Sequence, residues 1–283
     1  MSMIQRITKQ KKEAYNLVVK EYKERVDQTN KKAEKFERES RTGSGPNTNY
    51  KKVIAAMTYL KTVGLYCEMN DKSVEIMNIK NDAYLGNARK NIYQAIKLIE
   101  SIVGTDIDST LTENADVLSS LSLLNPSRTL HLLQMLEYDI TLVEYEEGPT
   151  SKWKWTFVEL YGKFAALCKN MINFKECVAK MYDPRAENYS EINALIQMIK
   201  RVADNAAQKF RMKYELSSMQ VGDMNRAIDY MNMNVRIYII LNEQPLAQET
   251  KKTIEKWKEK LENDLKKKEE EAKSQKKKAI GKR

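Results

Sequence analysis

The chain has 283 residues, enough for one large or two smaller domains with a well-buried core. With 42% hydrophobic residues but only nine Gly and five Pro, it favours long helices joined by short turns. The formal charge of +10 sits at the two ends: residues 251–283 carry 14 Lys/Arg against 7 Asp/Glu, residues 1–41 carry 12 against 7, and the middle carries 23 against 25. A nearly neutral body weighs against a nucleic-acid binder, and three cysteines (Cys67, Cys168 and Cys177) make neither a metal framework nor a disulfide ladder.

In chain order, residues 8–40 predict a charged helix with a thin apolar stripe of Tyr15, Val18, Tyr22, Val26, Ala33 and Phe36. The loop RTGSGPNTN, residues 41–49, reads as a hinge between this arm and the body. A helix from Tyr50 follows, with a break expected near Asn70-Asp71. Leu85, Ala88, Ile92, Ala95, Ile99 and Ile102 then repeat a three-four spacing, and Gly104 ends that helix. After a short helix around 112–124, Asn125-Pro126 supplies a cap and a Pro at the first helical position. The helix it opens, 126–146, is apolar nearly all round and is expected at the buried centre of the body.

From Trp153 a heptad seam runs through Phe157, Leu160, Phe164, Leu167, Met171, Phe174, Val178 and Met181, which predicts one long helix. Cys168 and Cys177 then stand ~13.5 Å apart on it, too far to pair. Further seams start at Ser190 and Met224, and Ile254, Trp257, Leu261 and Leu265 form a last stripe before a tail expected to fray. The expected fold class is all-α: about eight or nine helices, several long with heptad-like seams, in an elongated or bent two-arm bundle. The expected organisation is a charged N-terminal arm (1–41), a helical body (42–250) and a basic C-terminal helix with a frayed tail (251–283). Leu85-Gly86 and Tyr161-Gly162 faintly echo the tetratricopeptide pattern, but no repeat period emerges.

No catalytic constellation stands out, so no enzyme activity, cofactor or metal is expected. The single histidine, His131, reads as a satisfied core or boundary residue. Glu144, Glu146 and Glu147 read as a solvated acidic corner, and most of the fourteen methionines as core filling. The candidate partner surface is Trp155, Tyr161, Gly162 and Met233. On the heptad Trp153 takes a seam position and is expected in the core, while Trp155 falls outermost, aligned with Gly162.

The segments SKWKWTFVELYGKFAALCKNM, YDPRAENYSEINALIQMIKR and DMNRAIDYMNMNVRIYIILNE, with the KKKEEEAKSQKKK tail, resemble the flagellar coiling proteins of spirochetes, in particular the coiling protein A family of leptospires. The resemblance covers most of the chain in texture and helix order and carries no diagnostic motif. It implies an all-helical, non-enzymatic structural protein of the periplasmic flagellar filament sheath. Such a protein binds flagellin-core and other sheath proteins laterally, and promotes filament curvature and motility. Family members carry a cleaved signal peptide, and the opening MSMIQRITKQ is not one, so a cytoplasmic location is the expectation if the resemblance fails. The competing expectation is a helical scaffold that contacts nucleic acid or an anionic surface through its basic ends.

Overall fold

The computed structural model describes residues 8–280. Among them lie ten α-helices and no strand: α1 (Lys9–Arg41), α2 (Pro46–Met77), α3 (Asp82–Val103), α4 (Ala115–Ser120), α5 (Pro126–Glu147), α6 (Lys154–Asn170), α7 (Phe174–Lys180), α8 (Tyr189–Lys213), α9 (Val221–Ile240) and α10 (Gln244–Ile280). Helix starts follow local chemistry. Asn125 accepts from the Arg128 amide at 3.0 Å and Pro126 occupies the first turn of α5, while Thr8 and Asn81 cap α1 and α3 in the same way. Gly148 closes α5 at φ 76°, a backbone state that costs glycine nothing.

The helices stack as successive antiparallel pairs. In one layer α1, α3, α6 and α9 follow one another, tied by Asn91 to Asn30 at 3.0 Å, Lys163 to Glu100 at 2.9 Å, and Arg226 to Glu159. In the other layer α2, α5, α8 and α10 follow, tied by Asn70 to Glu146 at 2.8 Å, a forked Arg201–Glu137 pair at 2.5 and 2.8 Å, and Tyr214, in the π turn just past α8, to Asp264 at 3.0 Å. The core is the continuous apolar seam between the layers. Each pair packs chiefly on its neighbours, which is the logic of a helical solenoid even though no sequence period announces it.

Several expectations are corrected. α2 runs unbroken through Asn70-Asp71 to Met77, because Asn70 is buried and its side chain ties α5 to the α3 cap. α1 is no separate arm: Tyr15, Val19, Val26 and Ala33 are buried along it, and Glu37 accepts from Tyr59 of α2 at 2.9 Å. The predicted helix through Met181 ends at Asn170 and restarts at Phe174, with Asn173 accepting from the Glu176 amide to open α7. The tail continues as helix to Ile280. Residues 1–7 of the expected arm, residues 281–283 and the side chains of 274–280 lie outside the described part.

Candidate interaction surface

The four residues picked as a partner surface separate in the structure. Met233 is 0% exposed inside α9, and Tyr161 is 6% exposed beneath Lys209, whose Nζ stands 4.1 Å from the ring centroid. The Tyr161 hydroxyl donates to Glu144 Oε2 at 2.6 Å; burial and that carboxylate both push its pKa up. Gly162 is buried because α6 meets Phe210 and Tyr230 there: a Cβ would stand 2.7 Å from the Phe210 ring and from the Tyr230 hydroxyl. It is a glycine of close approach. Only Trp155 keeps part of its ring in water, half-buried with Lys154 Nζ 5.0 Å from the ring centroid.

The sequence placed Trp153 in the core, and the structure leaves it half-buried at the start of α6. Its ring lies under the Arg89 guanidinium at 4.3 Å, and Arg89 in turn pairs with the buried Glu147. Lys80 donates to the Glu147 carbonyl at 2.5 Å and Ser151 to its carboxylate at 3.0 Å. Part of the supposed acidic corner is therefore a buried, charge-compensated joint between α3, α5 and α6.

The face that does stand open is on α5. His131, Gln134, Tyr138, Thr141 and Tyr145 are all exposed, Tyr138 by 65% and Tyr145 by 80%. Their 3-4-3-4 spacing is one stripe of a helix, so α5 is amphipathic after all, with aromatic residues where charge would be usual. His131, expected in the core or at its boundary, belongs to this open stripe. Along the α2 flank, Glu68, Asp71 and Glu75 are exposed. Glu146 is pushed above the usual carboxylate range, first by burial and then by the Asp71 carboxyl group beside it. Negative charge is in excess at this edge. Along the α8 flank, Arg201 and Lys209 are committed to Glu137 and Glu144.

The nucleophile candidates are inward and protonated. Burial pushes Cys67 and Cys177 up to about 12 and Cys168 well above its ordinary value, and all three are free thiols. Lys169, 2% exposed, directs its ammonium at the carbonyls of Asp106, Ile107 and Ser109 at 3.1, 3.2 and 2.9 Å, which fastens the loop after α3. Burial draws its pKa down to about 8. Among the described residues no group of His, Cys, Asp and Glu is placed to hold a metal ion, and no helix is long and apolar enough to cross a membrane.

The chain matches the model of the TP0443 family over residues 11–265. It belongs to that family. The TP0443 family is a treponemal, spirochete-associated one, which agrees with the spirochete side of the resemblance and leaves open which spirochete protein class is meant. No curated protein and no solved structure matches the chain. Residues 11–265 of this TP0443-family chain take in α2 to α9 whole, most of α1, and α10 up to Leu265.

Proposed function

We propose that the protein is a non-enzymatic helical scaffold that binds other proteins laterally within an assembly. The observation that carries this reading is the open α5 face: two exposed tyrosines two turns apart, on a helix pair stack whose flanking cations are tied up internally. Tyrosines with an apolar body and a polar tip are characteristic of protein-binding surfaces. The buried, protonated thiols support a binding role over nucleophilic chemistry.

In its finer form the assembly is the periplasmic flagellar sheath of a spirochete, where the protein contacts flagellin-core and other sheath proteins and favours filament curvature and motility. Membership of a spirochete-associated family and the resemblance in the α6, α8 and α9 segments support that form. Cell fractionation tests it. Recovery with purified filaments, and straighter filaments with impaired motility on deletion, are the expected outcomes; a cytoplasmic protein whose loss leaves motility unchanged overturns the flagellar form. The competing reading, a nucleic-acid binder acting through basic ends, is weakened by the nearly neutral body and by the pairing of several terminal cations with carboxylates, as in Lys9–Glu13, Lys258–Glu255 and Lys260–Asp264.

A further inference from the structure

We propose that the open face of α5 receives the C-terminal helix of a second copy of this chain. The proposal rests on the scaffold reading above and names one partner for it. On the receiving side, Tyr138 and Tyr145 stand ~10.5 Å apart along the helix axis. The α2 flank carries exposed Glu68, Asp71 and Glu75 toward the Tyr145 end of the stripe, where Asn70 reaches Glu146, with Lys72 paired to Glu75 at 2.7 Å. Asp71 lies against Glu146 there, offset only in part by the Asn70 amide at 2.8 Å and by Lys80, so an arriving cation relieves what repulsion remains.

On the donating side, α10 makes its last recorded bond to the body through Lys268, whose Nζ donates to the Met219 carbonyl at 2.8 Å. From Leu265 to Lys273 every side chain is exposed, yet the helix runs on to Ile280. Residues 272–283 contain six cations (Lys273, Lys276, Lys277, Lys278, Lys282, Arg283) and no carboxylate. Residues 1–12 also lack a carboxylate but hold four cations, so 272–283 is the denser of the two terminal runs. Its helical part, 272–280, is ~13.5 Å long, enough to lie along both tyrosines. The occupant is thus fixed by complementary charge and matching length. Donor and receiver are different surfaces of one molecule, so the contact is head-to-tail and extends copies into a row instead of closing a symmetric pair.

Sedimentation velocity of the full chain tests this. Species heavier than the monomer are expected at low salt, with association at least about tenfold weaker near 1 M salt, where the screening length falls to about 3 Å. Deleting residues 272–283, or introducing Tyr138→Ala with Tyr145→Ala, gives a monomer. If the double tyrosine variant fails to fold, Glu68→Lys with Asp71→Lys and Glu75→Lys replaces it. The decisive measurement mixes the two monomeric variants: the truncated chain keeps the face and the face variant keeps the helix, so they form a one-to-one pair that grows no further. A full chain that stays monomeric at low salt, an oligomer that survives the deletion, or variants that fail to pair each overturn the proposal. So does a monomeric chain whose tail binds only duplex DNA or anionic vesicles. A monomeric chain that still co-sediments with filaments overturns this pairing and leaves the scaffold reading standing.

Discussion

Asp139 lies on the buried side of α5, 6% exposed, with Oδ2 facing no hydrogen-bond donor in the structure. Burial pushes its pKa up to about 8. Between roughly pH 4 and pH 8 the folded chain therefore holds a proton that the unfolded chain has released, and this group's stabilising contribution falls steadily as pH rises through that window. Asp139→Asn is expected to stabilise the protein at pH 8 by roughly 1–3 kcal/mol and to flatten the pH dependence of the urea midpoint between pH 5 and pH 8. At Gly162 the opposite sign is expected. Gly162→Ala drives a methyl group into Phe210 and Tyr230 and costs roughly 1–3 kcal/mol in chemical denaturation. The two tryptophans of the SKWKW stretch, expected on the core face and the outer face, are both half-buried. Trp153→Ala and Trp155→Ala should accordingly cost similar amounts, with the Trp153 change also releasing the Arg89 guanidinium stacked on it. A heptad assigns a face only while the helix lasts, and Trp153 precedes the first turn of α6.

At the scale of elements, the end of α6 explains why the long seam was misjudged. Lys169 and Asn170 fall off the apolar seam between Leu167 and Met171, yet they turn their polar heads inward, Asn170 donating to the Gly104 carbonyl at 3.1 Å. The helix stops so that these side chains can hold the 104–109 loop. Lys169→Met strips three carbonyls of their buried donor; faster amide exchange confined to residues 104–114, with a stability loss of roughly 1–3 kcal/mol, is the expected result. The cap at Asn173 was legible, since Asn173-Lys175-Glu176 presents a capping residue with Glu three positions on. α5 shows the converse: counting apolar residues suggested burial all round. The positions that are not aliphatic fall on one stripe, and that stripe is the open face.

For the whole molecule, a stack in which each helix pair buries its neighbour predicts graded protection. Amide exchange should be slowest in α3, α5, α6 and α8, which have partners on both sides, and fastest at the beginning of α1 and the end of α10. Because Leu265 to Lys273 bury little, deleting residues 272–283 should leave the melting temperature unchanged while altering self-association, and a melting shift would show that the tail packs on its own body.

The sequence by itself determined the all-α class, the start of α5, the end of α3 at Gly104 and, near Ser190, the approximate start of α8, because periodicity and the chemistry at helix ends are local properties. It also determined that charge gathers at the termini. Only the tertiary structure decided that α1 is part of the stack, that Tyr161, Gly162 and Met233 are interior, and that the outward aromatics are Tyr138 and Tyr145. The physical reason is that a helix has two or three faces able to bury apolar area, and its own sequence does not say which of them a distant helix will cover. Gly162 looked bare on the sequence. Against Phe210 and Tyr230 its missing side chain is the space that lets α6 close on α8 and on the Tyr230 hydroxyl of α9.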